Sequence, residues 1–271
     1  MSGFSAEWLA LREPADCRAR SSPVADLAAA LAVTRGGRIV DLGCGSGSLP
    51  RYLAPRLSVP CEWLLVDDTQ PLLDEAMRRC RDLPGVAALT TLRADLAADL
   101  SFIGERPTAL VAASALLDLV SDAWLARLVG ACVAAGAPMM AMLNVDGRID
   151  IDPPLPDDAP IIALFDEHQH GDKGFGPALG PTAAARAAER FRAAGYRVRT
   201  ARSDWVLGAD DAALIGPLLE GWNAAAGEIA PAESARIARW LTQRRQQLAA
   251  GRLSVRVGHE DLLAMPHRAQ A

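Results

Sequence analysis

Short apolar runs alternate along this chain with stretches in which apolar residues recur at helical spacing. Residues 39–42, 61–67, 87–94, 108–114 and 138–144 read as five buried strands. Between them, Leu49, Leu53 and Leu57 recur every four residues, and residues 70–80 carry Pro71 where a first helical turn tolerates it. Ser121 stands as N-cap to a helix running to about 135, whose apolar face is Trp124, Leu125, Leu128, Val129, Cys132 and Val133. Strands that alternate with helices predict a doubly wound, mostly parallel sheet with helices on both faces.

The pattern differs at both ends. Residues 4–32 predict two short helices, one holding Trp8, Leu9 and Leu11 and the other Val24, Leu27, Ala28 and Leu31. Residues 1–35 are read as a helical cap and 36–271 as one α/β domain. In the cap, Arg12 and Arg20 are available to a carboxylate, although solvated surface arginines explain them more simply. Beyond 144 the chain turns Pro- and Asp-rich, which predicts a loop, then a short helix and a Gly-rich turn. A helix follows with Thr182 as N-cap and Gly195 past its end. Residues 196–207 are the sixth predicted strand, 210–226 and 231–250 two more helices, and 252–266 a seventh strand with a bend at Gly258. Two insertions are thereby expected, at about 145–181 and 205–250.

The densest chemical signal is the run RIVDLGCGSGS at 38–48. A strand carrying Asp41 enters Gly43, Gly45 and Gly47, and a helix follows. Alternate glycines remove the Cβ atoms that would hold a ligand off the backbone. The helix start then presents free N–H groups. The pattern suits a nucleotide-like cofactor. It is not the dinucleotide fingerprint G-x-G-x-x-G, because Ser48 occupies the third glycine's place.

The stretch VDLGCGSG resembles motif I of the class I S-adenosylmethionine-dependent methyltransferases. The resemblance implies a seven-stranded Rossmann-like sheet and S-adenosyl-L-methionine as cofactor. It implies that Asp41 lies by the methionine part and that Gly43, Cys44, Gly45 and Gly47 form the cradle. Asp67, ending the second strand, takes the place of the acid that grips both ribose hydroxyls. Asp68 occupies the next position, usually an apolar residue that packs on the adenine. Asp95, just past the third strand, takes the place of the adenine N6 acceptor, with Leu96 beside the ring. Ser114 and Asp118 follow the fourth strand, where the family places motif IV beneath the reactive methyl. Three other readings stand beside this one: a nicotinamide- or flavin-type Rossmann oxidoreductase, a protein that binds S-adenosylmethionine or its demethylated product without catalysis, and an enzyme of the methyltransferase fold that does other chemistry.

The insertion after the fifth strand concentrates His168, Gln169, His170, Asp172, Lys173 and Phe175 within eight residues. Such a loop can wall an acceptor site. His168 and His170 are candidate general bases, with Asp118, for a small polar acceptor. His-x-His-x-Asp also offers three metal ligands, but spacing this short is unusual for a closed site and no metal is expected. His259 and Asp261 form a second, weaker pair, read as strand hydrogen bonding.

Composition narrows the partners. The 271 residues are 51% hydrophobic, enough for one large core, and the net charge is −5. No basic stripe interleaved with aromatics appears, so nucleic acid is not an expected partner. No apolar run is long enough to span a membrane. Five scattered cysteines without a C-x-x-C pair read as reduced thiols of a cytoplasmic enzyme acting on a small-molecule acceptor.

Overall fold

The computed structural model describes residues 5–267, so the outermost four positions of the expected cap and domain lie outside it. Helices α1 (Ala6–Ala19) and α2 (Ser22–Arg35) precede β1 (Arg38–Leu42), α3 (Ser48–Leu53), β2 (Cys61–Asp67), α4 (Gln70–Cys80) and β3 (Val86–Arg93). Then come β4 (Thr108–Ser114), α5 (Asp122–Ala135), β5 (Met139–Asp152), α6 (Asp158–Gln169) and α7 (Ala183–Ala193). The chain ends with β6 (Tyr196–Arg202), β7 (Trp205–Leu207), α8 (Ala212–Ile229), α9 (Ser234–Ala249) and β8 (Ser254–Pro266).

The sheet order is β3-β2-β1-β4-β5-β8-β6, with β7 also paired to β8. β1 to β5 pair in parallel, while β8 runs antiparallel to β5, β6 and β7. The strand order reverses between β1 and β4, which opens a crevice outside their carboxyl ends. Core side chains cover both faces: Val40, Leu42, Val66 and Val111 pack on one side, and Ile39, Trp63, Leu65 and Leu110 on the other.

Three sequence expectations are revised. The sheet has eight strands among the described residues, because the run 196–207 breaks at Ser203 and Asp204. Ser203 donates its Oγ–H to buried Asp261 (2.6 Å), and Asp204 accepts from Arg148 (2.7 Å) and from the His259 N–H (3.3 Å). Those bonds turn the backbone between the two pieces. Second, β5 continues to Asp152 through a stretch read as loop. Its second half pairs residue by residue with β8, from Ile149 opposite Val257 to Asp152 opposite Ser254. The alternation Ile149-Asp150-Ile151-Asp152 is a strand pattern that the nearby prolines obscured. Third, α3 stops at Leu53 and tightens into a short turn over 54–56, since Pro55 has no N–H for the next helical bond.

The segments after β5 also share a core. Ile161 of α6, Trp205 of β7, Trp222 of α8 and Trp240 of α9 pack with Ile151 and Val255 from the distal ends of β5 and β8. Asp158 ties α6 to α9 by accepting from Trp240 Nε1 (2.8 Å) and pairing with fully buried Arg244.

Candidate active site

The glycine loop leaves β1 at the switch in strand order. Gly43, Gly45 and Gly47 all hold positive φ, a region that side chains with a Cβ rarely enter. Gly45 N–H donates to Asp67 Oδ2 (2.9 Å) and Thr69 N–H to Asp67 Oδ1 (3.0 Å). The carboxylate at the end of β2 thus clamps the loop of β1, and each oxygen retains acceptor capacity on its open side. Burial pushes Asp67 up, and the two backbone donors partly offset that.

Asp41 sits deeper. It is 1% exposed, and neither carboxylate oxygen has a hydrogen-bond partner. Burial first pushes its carboxyl up to about 8; Arg20 opposes the rise and Asp67 adds to it. Two orphaned oxygens in a polar cleft call for a donor that a ligand can supply. Arg20, only 3% exposed, reaches over from the end of α1 and donates to Ser48 Oγ and Ser114 Oγ, both at 3.0 Å. Arg20 bridges the cap, the glycine loop and the end of β4.

These groups line one cleft, together with Asp95, Leu96, Leu9 and Phe175. Asp95 and Asp68 are its exposed acids, and Asp95 also caps its own turn by accepting from Ala97 N–H (2.8 Å). Leu96 is buried beside them, and its carbonyl accepts from Trp124 Nε1 (2.6 Å), which fixes the turn. Cys44 is a buried filler; burial and the neighbouring acids raise its thiol. The cleft holds about 160 Å³ beside α1. That is below the roughly 300–1,000 Å³ of sites that bury a cofactor-sized ligand. A Cβ on Gly45 would lie 3.0 Å from Leu9 Cδ1, which shows how closely α1 covers the loop.

A second cavity of about 490 Å³ opens on the other side of α1. Arg12, Ala115 and Leu119 line both spaces, so the two cavities meet there. Ala115 and Leu143 are the non-glycine residues with positive φ among those described, and both sit at the second cavity or its junction. Such strain is held only where surrounding bonds enforce it. Ala115 N–H donates to Met142 O (2.9 Å) and Leu143 N–H to Asp261 Oδ1 (2.7 Å). The same Asp261 accepts from Ser21 N–H (2.7 Å) and so ties α2 to this corner.

The second cavity is walled mainly by Trp8, Phe165, Trp205 and Trp222, with Leu143, Ile149 and Leu218 between them. Those walls are largely apolar. Asp118 lines the cavity with Arg12, Arg148, His168, Gln169, Lys173 and His259. Asp118 Oδ1 has no partner, and burial raises the carboxyl to about 6. His259, 2% exposed, lies at its wall with Nδ1 facing Val257 O (2.9 Å), and burial depresses it to about 4, so it is neutral.

The structure gathers Asp41, Gly43, Cys44, Gly45, Asp67, Asp68, Asp95, Leu96 and Ser114 around the first cleft. Gly47 does not line it. A Cβ there would lie 2.6 Å from Cys80 Sγ and 3.3 Å from Ala76 Cβ, so this glycine lets α4 pack on the loop. Asp118 and His168 line the second cavity, with His168 Nε2 held 3.1 Å from Glu228. His170 lines neither cavity; its Nδ1 faces Ala178 O (3.4 Å) and its ring packs on Gly180. The two histidines part because they sit two residues apart at the end of α6, where such neighbours point to different sides. Sequence reasoning undervalued Arg20 and passed over the cavity role of Trp222. Leu218, Trp222 and Ala225 do recur on one face of α8, but that spacing does not distinguish a cavity wall from core packing.

Residues 39–138 match a family model described as a methyltransferase domain. A comparison with curated protein sequences gives no significant match. Among solved structures, the cyclopropane synthase MmaA2 from Mycobacterium tuberculosis superposes with a TM-score of 0.51 at 13% identity, covering 96% of this chain and 94% of that one. An S-adenosylmethionine-dependent methyltransferase from Thiobacillus denitrificans, solved with S-adenosyl-L-homocysteine, gives 0.48 at 17% identity, covering 96% and 98%. The likeness to the first shows the shared fold.

Proposed function

We propose that this chain is a class I S-adenosylmethionine-dependent methyltransferase, a reading supported by the match of residues 39–138 to a methyltransferase-domain model, and that it methylates a small molecule held in the second cavity. The cofactor is S-adenosyl-L-methionine, and the first cleft suits it. Asp67 offers two oxygens to the ribose, Asp95 and Leu96 flank the adenine side, and orphaned Asp41 with Arg20 faces the amino-acid end. When bound, the cofactor supplies an activated methyl on a sulfonium. The chain's own work is to hold the acceptor at attack distance, exclude water and take up a proton.

The observation that carries this reading is the junction of the two cavities at Ala115, Leu119 and Arg12. Asp118, placed just beyond that junction, is the residue proposed to accept the acceptor's proton. His168 is proposed as a wall residue that Glu228 orients. No helix among the described residues is long and apolar enough to cross a membrane.

Calorimetric titration with S-adenosyl-L-homocysteine and with NAD tests the cofactor. S-adenosyl-L-homocysteine should bind and NAD should not. Asp67→Ala should weaken binding by about 2 kcal/mol, because charged acceptors to the ribose and the clamp on Gly45 are lost together. Equal affinity in that variant, or a preference for NAD, would remove the assignment.

A further inference from the structure

Internal pairing decides what the second cavity can recognise. Arg12 is taken up by Asp16, with Nε 3.0 Å from Oδ2, and its guanidinium lies over the Trp205 ring. Arg148 is taken up by Asp146 and Asp204. His168 faces Glu228, and His259 is neutral. Two groups remain. Lys173, the only lysine of the chain, has no carboxylate partner among the described residues and donates only to His168 O (3.3 Å). Asp118 keeps a free oxygen. The rings of Trp8, Phe165 and Trp222 line the same cavity.

We infer that the second cavity is built for an aromatic carboxylic acid, with its ring among Trp8, Phe165 and Trp222, its carboxylate on Lys173 and a hydroxyl or amine N–H directed at Asp118. The inference deepens the proposed function by naming the acceptor class. Ring burial provides the affinity, since aromatic pairs add to the area they bury. The lone ammonium selects charge. A competing amine ligand could pair its ammonium only with Asp118, and would leave Lys173 unpaired and facing a like charge. The lysine comes from the turn that follows α6. That turn is shaped by Asp172, which accepts from Gly174 N–H (2.7 Å) and Gly176 N–H (3.0 Å). Its position is therefore set by the backbone.

The test uses three near-isosteric indoles on the full chain by calorimetry: indole-3-acetate, tryptophol and tryptamine. Indole-3-acetate should bind about fivefold tighter than tryptophol, as one partly exposed ion pair allows, and tryptamine should bind weakest. Lys173→Met should bring indole-3-acetate to the affinity of tryptophol and leave S-adenosyl-L-homocysteine binding unchanged. Trp222→Ala should weaken all three and preserve their order. Tryptamine binding as tightly as the acid, an acid preference that survives Lys173→Met, or no binding of any probe at millimolar concentration would each overturn the inference. Loss of S-adenosyl-L-homocysteine binding by the parent protein would count against the methyltransferase reading alone, because the indole ranking is read without cofactor.

Discussion

If the first cleft holds the cofactor as proposed, Asp41 gives its binding a pH dependence whose size follows from burial. The carboxyl is 1% exposed, has no hydrogen-bond partner, and is raised from 3.8 to about 8. At pH 7 only about one molecule in eleven then carries it ionised, and at pH 6 about one in a hundred. If the ionised form receives the ammonium of the cofactor, apparent affinity scales with that fraction. The dissociation constant of S-adenosyl-L-homocysteine should fall about tenfold from pH 6 to 7 and about fivefold more by pH 8. At pH 7 the protonation penalty is about 1.4 kcal/mol. Calorimetry in two buffers of different ionisation enthalpy should also register close to one proton released per ligand bound at pH 7. Asp41→Asn should bind more weakly and lose the slope. Stability supplies an independent readout. Because the folded carboxyl lies above its unfolded value, its contribution is complete below about pH 4 and is lost as pH rises through about 8. The melting temperature of Asp41→Asn should therefore gain on the parent across that window. A flat binding profile in the parent, or the same slope in Asp41→Asn, would falsify the assignment.

Two further outcomes are expected. Gly47→Ala should cost about 2 kcal/mol in chemical denaturation, because its Cβ would meet Cys80 Sγ at 2.6 Å and the residue holds φ at +82°; a loss below half of that would show that α4 yields easily. Asp118→Asn should melt higher than the parent, with the difference growing from pH 4 to about 6 and then levelling, since the parent must ionise a carboxyl raised to about 6; a pH-independent difference would show that this carboxyl is well solvated.

Much of the fold lay in local order along the chain. The first four strands fall where apolar runs predict them, and Ser121 caps α5 by accepting from Trp124 N–H (3.2 Å). The glycine spacing and the acids after successive strands marked the first cleft, because a parallel sheet delivers every strand end to one edge. Local patterns failed where a partner strand decided the outcome. Residues 145–152 are strand because β8 pairs with them, and 203–204 are a break because Asp261 and Arg148 hold them.

What the sequence alone determined, then, is the architecture of β1 to β4 with the start of β5, and the gathering of Asp41, Asp67 and Asp95 at one edge of the sheet, since both follow from periodicity and from position after a strand. The second cavity was decided only by tertiary structure. Its walls come from α1, α6, β7 and α8, more than 200 residues apart in the chain. Whether Lys173 or Arg148 is free to meet a ligand depends on which carboxylates the fold brings within reach. Pairing of that kind is a property of distances in space, and spacing along the chain does not encode it.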